Sequence, residues 1–265
     1  MPRTVIISGA GRGIGRALAE ALLQDGFNVV GTASRTPDEL AELQSSRHGD
    51  ALLTVQADVG SDEDCERVVA MARERFGDVD ALINNAGRGM IELSPDFNVT
   101  PTRFWETSSD TWRELVRVNL LGVFAMARAA VPALIESGGS LLNVSTSPVT
   151  MLRRGYTPYG ATKAAVESLS AAWAEELAPL GVRVNVILPG GATDTAFLGP
   201  RDSGADRRGA DGQCLPPTIL NEPVRFLLSE AANELTGRRI VGKGFDASQA
   251  ARAPRIADVG IAVSD

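Results

Sequence analysis

Apolar positions along this chain follow two rhythms that take turns. Short β-branched runs occupy residues 4–8, 28–32, 52–56, 81–83, 140–144, 183–188 and 239–241. Between them lie longer stretches whose apolar residues recur at helical spacing, over 14–24, 62–76, 111–135 and 157–178. Short continuous apolar runs predict strands covered on both faces, and strands separated by helices predict parallel pairing. Right-handed crossovers then wind the helices onto both sides of one sheet. The expected fold class is α/β, a doubly wound parallel sheet in a single domain, with ligands at the carboxyl ends of the strands.

Two stretches interrupt the rhythm. Residues 88–110 contain Ser94-Pro95, Thr100-Pro101 and Phe104-Trp105, and residues 199–217 are rich in Gly, Asp, Arg and Pro. Loops this long in a compact domain are functional lids or disordered segments. From residue 247 onward the pattern fades, which suits an arm or a frayed end.

Composition narrows the chemistry. With 265 residues, 44% hydrophobic and 22% charged, the chain can bury a large core without disulfides or metals. A net charge of −7 argues against nucleic acid or an anionic membrane as partner, since both call for a basic surface. The two cysteines, Cys65 and Cys214, form neither a disulfide framework nor a zinc-ligand spacing, and read as reduced thiols. Met1-Pro2-Arg3-Thr4 leads directly into the first strand without a basic-plus-apolar leader, and no run reaches the ~18 apolar residues of a membrane span. A cytoplasmic protein is expected. The single histidine, His48, sits in the polar turn Ser45-Ser46-Arg47-His48-Gly49-Asp50, which disfavours a Ser-His-Asp triad and a histidine-ligated metal site. No metal is expected.

The first strand runs into Ser8-Gly9-Ala10-Gly11-Arg12-Gly13-Ile14-Gly15 and then a helix. Glycines in that place allow a tight turn and let backbone N–H groups approach a pyrophosphate at the positive helix end, the arrangement of a Rossmann-type dinucleotide site. The second strand closes on Gly31-Thr32-Ala33-Ser34-Arg35 with no carboxylate before Asp38. A site that prefers NAD usually places an acidic residue there for the ribose 2′-hydroxyl. Arg35 with Ser34 and Arg12 suits a 2′-phosphate instead, so NADP(H) is the predicted cofactor and NAD(H) the alternative. Arg35 as a solvated loop charge stays open. Asp58-Val59 would face the adenine, or Asp58 would cap the helix that follows Ser61.

Tyr159 and Lys163 lie four apart in Tyr159-Gly160-Ala161-Thr162-Lys163-Ala164-Ala165, on one helix face. An ammonium beside a phenol favours the phenolate and brings its pKa down from about 10, as a tyrosine general acid/base requires. Tyr156 has Gly160 at the matching position and does not qualify.

Taken in order, Gly9-x-x-x-Gly13-x-Gly15, Asp58, Asn84-Asn85-Ala86-Gly87, Asn119, the hydroxyls at 145–147, Tyr159-x-x-x-Lys163 and Pro189-Gly190 resemble the compact, single-domain branch of the short-chain dehydrogenase/reductases. The resemblance runs from about residue 4 to about residue 246. It implies a dinucleotide-binding and catalytic domain over 1–246, with 247–265 as a C-terminal tail. It implies Tyr159 as the residue exchanging a proton with the substrate oxygen. Lys163 would hold the nicotinamide ribose and tune the tyrosine. Asn119 would anchor a water in the proton relay. Asn85, Ala86 and Gly87 would form the cofactor floor, with Pro189 and Gly190 on the nicotinamide side, and a hydroxyl would donate to the substrate oxygen. The partners implied are a small carbonyl or alcohol substrate and a second or further copy of the chain, as homodimer or homotetramer.

The sequence departs from the family pattern in places. Thirteen positions before Tyr159 the usual serine is Thr146, with Ser145 and Ser147 as rival donors. Ser8 replaces a threonine, and the position expected to hold a threonine after Pro189-Gly190 is Asp194, leaving Thr193 or Thr195 for the cofactor amide. A catalytically inactive cofactor-binding regulator or scaffold is the competing reading. Phe104, Trp105, Met151, Leu152 and Tyr156 would line an apolar pocket and Arg153 and Arg154 would attract an anion, or all seven are ordinary loop residues. The substrate itself is not legible.

Overall fold

The computed structural model describes residues 2–35, 37–45, 49–198 and 213–259. His48 and most of the 199–217 stretch lie outside them. Seven strands form one parallel sheet in the order β3-β2-β1-β4-β5-β6-β7: β1 (Thr4–Ile7), β2 (Asn28–Ala33), β3 (Leu52–Gln56), β4 (Ala81–Asn84), β5 (Ser140–Val144), β6 (Arg183–Leu188) and β7 (Arg239–Val241). The expected doubly wound sheet is therefore the fold. Chain progress reverses between β1 and β4, whose register pairs Val5 with Ala81 and Ile7 with Ile83. A crevice opens outside the carboxyl ends at such a point.

Period-two alternation divides each strand between two cores. Val5, Ile7, Leu142 and Val144 face a layer built from α1 (Gly13–Gln24), α8 (Asn221–Leu227) and the turn Pro217–Leu220. Ile6, Leu82 and Leu141 face α3 (Asp62–Phe76), α5 (Gly122–Ser137) and α7 (Thr157–Leu177). The first side also holds α2 (Pro37–Ser45), whose Leu43 is fully buried there. Residues 247–259, the described part of the tail, form turns whose Ala250 and Ile256 are buried, and Arg255 bridges to Arg238 beside β7.

One predicted helix differs from the sequence pattern. The stretch 111–135 is helical throughout, but α4 (Ser109–Val116) and α5 are joined by a π turn, Arg117–Leu121. π turns inside α-helices are frequent at functional sites, because the extra residue re-aims a side chain. Here that residue run carries Asn119. By length and composition the run Ser109–Ser137 is apolar enough to cross a membrane, although shorter uninterrupted apolar runs were expected. Arg117 and Asn119 interrupt it, and its apolar positions supply much of the second core.

Candidate active site

Loops leaving the carboxyl ends of the strands meet at the crevice. In the glycine loop, Gly9 and Gly13 take positive φ values of 69° and 57°, open to glycine without strain. A Cβ on Gly9 would lie 2.9 Å from Ala86 Cα, and one on Gly15 would lie 2.0 Å from the Gly9 carbonyl oxygen. The loop thus closes on the floor residues 85–87. Asn85 Nδ2 donates to the carbonyls of Ser8 and Gly9, each at 3.0 Å. Ser8 keeps the job of the threonine it replaces: its Oγ accepts from the backbone N–H of Asn85 at 3.0 Å and of Ala86 at 3.1 Å. No side chain caps α1, so the N–H groups at its start face the loop. That cradle fits a cofactor pyrophosphate.

Beyond the ends of β1 and β2 the expected arginines have carboxylate neighbours the sequence pattern did not reveal. Arg12 lies 3.5 Å from Glu39, which also packs on Gly11. Arg35 lies 3.3 Å from Glu92 and 3.9 Å from Glu114. Both arginine side chains remain more than half exposed. Glu114 also receives Arg88 at 2.5 Å and Arg117 at 2.7 Å, and Arg117 holds its carboxyl below the usual range. Asp58 is not the helix cap; Ser61 caps α3, accepting from Asp64 N–H at 3.2 Å. Asp58 instead accepts from Gly60 N–H at 2.9 Å and pairs with Arg117 at 2.8 Å. Val59 packs against Gly122, and Ser34 is exposed.

The predicted catalytic groups converge. Tyr159 and Lys163 are buried on α7, and the Thr146 hydroxyl faces the Tyr159 phenol. Lys163 Nζ donates to the Val144 carbonyl at 2.8 Å. The π turn aims Asn119 at Arg88: its Oδ1 accepts from Arg88 N–H at 2.7 Å and its Nδ2 donates to Arg88 O at 2.8 Å. Gly87 lies where these groups meet, since a Cβ there would be 3.4 Å from Asn119 Oδ1 and 4.0 Å from Lys163 Nζ. The electrostatics differ from the expected picture. Burial raises the Tyr159 pKa above its ordinary value, with Thr146 pulling the other way, and burial lowers Lys163 to about 8, with Glu167 opposing. For the phenol, desolvation outweighs the hydrogen bond from Thr146.

The rival hydroxyls are engaged elsewhere. Ser147 caps the short helix α6 (Pro148–Met151) and lies 2.9 Å from Thr150 Oγ1. Ser145 donates to Glu167 Oε1 at 2.7 Å. Because β5 ends at Val144, strand alternation does not extend to these residues; Ser145 and Thr146 both meet α7. Gly190 (φ 88°) leaves a Cβ no room beside Val241 Cγ1, 2.6 Å away, which fixes the turn after Pro189. Thr193 is buried, with Oγ1 3.5 Å from the Gly191 carbonyl oxygen, while Thr195 packs over Gly13.

The pocket walls correct part of the sequence reading. Phe104 and Trp105 pack edge-to-face on each other and are 62% and 68% exposed, and Leu152 is 79% exposed. None of the three is buried in the apolar cluster around Tyr159. Tyr156 is, together with Met90, Phe97 and Leu115. Phe97 meets Tyr156 at 5.7 Å between ring centres, and Tyr156 Oη donates to Asn98 Oδ1 at 2.7 Å. The interrupting stretch 88–110 is therefore a wall of the site. Phe197 packs on this stretch at Gly89 and lies 5.4 Å from the Tyr159 ring centre. Glu167 and Arg239 were missed. Glu167 was legible, being four residues past Lys163 on the same face; Arg239 carries no local signal.

A family model described as short chain dehydrogenase matches residues 3–205. The chain is 32% identical to an uncharacterized oxidoreductase of Staphylococcus aureus (strain MRSA252), over 90% of this chain and 97% of that one. It is 33% identical to L-fucose dehydrogenase of Oryctolagus cuniculus, over 87% and 80%. A crystal structure of 3-ketoacyl-(acyl-carrier-protein) reductase from Brucella melitensis, complexed with NADH, superposes with a TM-score of 0.77 at 30% identity, covering 90% of this chain and 96% of that one.

Proposed function

The chain belongs to the short-chain dehydrogenase family and is an oxidoreductase, and on that premise we propose that it moves a hydride between NADP(H) and a carbonyl/secondary-alcohol pair, with Tyr159 as proton donor and acceptor. The observation that carries this reading is the meeting of Lys163 and Asn119 at Gly87, with Tyr159 one turn before Lys163 on α7 and faced by Thr146. A nicotinamide cofactor, when bound, supplies or takes the hydride.

The chain's own residues account for the rest. Tyr159 sits protonated in its buried pocket, the form that gives a proton to a carbonyl oxygen during reduction. Thr146 Oγ1 donates to the same oxygen as charge develops on it. Lys163 orients the ribose and sets the field at the phenol. Asn119 uses its side chain to lock Arg88's backbone, which leaves its own backbone to hold a relay water. Phe97, Tyr156 and Phe197 exclude water from the reacting centre.

A competing cofactor reading has its own support. Glu39 packs against Gly11 and pairs with Arg12, so a carboxylate stands near the place where a ribose 2′-hydroxyl would lie. The structural neighbour was crystallised with NADH. NADP(H) remains the preferred reading, because Arg12 and Arg35 are exposed and their surface ion pairs are weak enough for a phosphate to displace. Leu121 and Phe124, half exposed on the outer face of the α5 region, support self-association into a homodimer or homotetramer. The test of function is a panel of ketones, aldehydes and secondary alcohols run with NADPH and NADH. Turnover with none of them under either cofactor favours the inactive regulator instead.

A further inference from the structure

Glu167 and Arg239 form a buried ion pair directly behind the reacting groups. Arg239 Nε lies 3.1 Å from each Glu167 carboxylate oxygen, and both side chains are about nine-tenths buried. A buried pair is weak evidence of a stabilising role, because desolvation offsets its attraction. What the pair touches is more informative. Arg239 Nη2 donates to the Thr146 carbonyl at 2.7 Å, and Glu167 Oε1 accepts from Ser145 Oγ at 2.7 Å. Lys163 Nζ holds the Val144 carbonyl next along the chain at 2.8 Å. Three consecutive residues leaving β5 are thus each tied to α7 or β7. Tyr159, Lys163 and Glu167 occupy successive turns of α7 on one face, spaced four apart.

We propose that Glu167 and Arg239 are positioning residues: Arg239 fixes the backbone that aims the Thr146 hydroxyl, and Glu167 is the counter-charge that keeps Lys163 an ammonium. The proposal rests on the catalytic reading above. Among the described residues, the titratable and charged groups facing Lys163 are Tyr159 and Glu167 on α7, with Arg239 of β7 behind Glu167; from β5 it meets the Val144 carbonyl, and Asn119 faces the same point at Gly87. Among these groups Glu167 is the one anion. Without it, two cations, Lys163 and Arg239, share one buried region, and the lysine gives up its proton more readily.

Carbonyl reduction with NADPH provides the test. Glu167→Gln should lower kcat at least tenfold while NADPH affinity, read by fluorescence titration, stays within about threefold. Its alkaline limb in kcat/KM should move to lower pH by about one unit, a change that a merely structural role would not produce. Arg239→Lys should recover part of the kcat lost in Arg239→Met. Because a single change leaves one charge buried alone, the double variant Glu167→Met/Arg239→Met supplies a folded control. It should melt within a few degrees of the wild type, bind NADPH, and remain slow. A double variant that is folded, with wild-type kcat and an unmoved limb, overturns the proposal. If Tyr159→Phe keeps wild-type turnover, the catalytic reading falls instead, and the two failures are told apart.

Discussion

Lys163 Nζ donates to the Val144 carbonyl oxygen across 2.8 Å, from the second turn of α7 to the last residue of β5. The contact puts a cation at the carboxyl end of the central strands, where among the described residues the Val144 carbonyl dipole and the Glu167 carboxylate offset its desolvation. On the proposed reading this lysine trades its carbonyl for ribose hydroxyls when cofactor binds, and until then its burial carries a measurable energetic signature.

That signature is a pH dependence of folding. Lys163 has a folded pKa of about 8 against an ordinary 10.5. Between those values the unfolded chain binds more protons at this site than the folded chain, so stability rises with pH there. Below about 8 the ammonium is buried at full cost, and above 10.5 the amine is neutral in both states. The unfolding free energy of the wild type minus that of Lys163→Met should therefore increase from pH 7 to pH 10, by about 1–3 kcal/mol. Denaturant melts of the two proteins at matched pH measure it. A flat or falling difference would mean that the lysine is hydrated in the folded chain.

Tyr159 and Tyr156 should separate cleanly. Tyr159→Phe should abolish turnover and leave cofactor affinity nearly unchanged, as the phenol hydroxyl is the only group removed. Tyr156→Phe loses a hydrogen bond to Asn98, worth about 1 kcal/mol, and should show a raised KM with most of kcat retained. Steady-state kinetics with cofactor titrations decide between them, and equal losses in both variants would contradict the assignment.

Cofactor preference should follow the exposed arginines. The wild type should favour NADPH over NADH in kcat/KM. Arg12→Ala and Arg35→Ala should erode that preference, since each phosphate contact contributes roughly 1–3 kcal/mol. Glu39→Gln should strengthen it, by removing the carboxylate that competes for Arg12. A wild type that favours NADH would make Glu39 the ribose ligand.

The pattern of legibility has a physical reason. Tyr159 and Lys163 lie within one helical turn, and the glycine loop within one strand-to-helix turn, so local spacing reports both. Glu39, Glu92 and Arg239 meet partners that lie far from them along the chain. Arg35 and Glu92 stand 57 residues apart, and Glu167 and Arg239 stand 72 apart. No periodicity encodes such pairs; they follow from how the crossovers stack loops. The apolar residues of 88–110 show the same limit. Phe97 and Phe104 look alike in sequence, yet one is buried on Tyr156 and the other faces solvent.

The two cysteines should react unequally. Burial and the nearby carboxylates, Asp62 first among them, push the Cys65 thiol up to about 12, and its Sγ donates to the Val59 carbonyl at 3.4 Å. Cys214 is exposed. Thiolate is the reactive form, so iodoacetamide at pH 8 should label one equivalent, at Cys214, in the folded chain and two after denaturation. Mass spectrometry of the peptides checks this, and early labelling of Cys65 would show that the start of α3 opens.

The hydroxyl donor can be identified by three substitutions. Thr146→Val keeps the shape and removes one donor to the developing oxyanion, a loss that costs on the order of 10²–10³ in turnover in comparable sites. Thr146→Ser restores the hydroxyl with fewer rotamer limits and should retain activity. Ser147→Ala removes a helix cap and should cost about 1 kcal/mol of stability with little change in kcat. Ser145→Ala is the informative intermediate. Its Oγ is already committed to Glu167, so it should lower kcat less than Thr146→Val does, through Glu167's aim alone. Should Ser145→Ala or Ser147→Ala prove the crippling change while Thr146→Val turns over normally, the oxyanion donor lies outside residue 146, and the backbone leaving β5 must take a different path once ligand is bound.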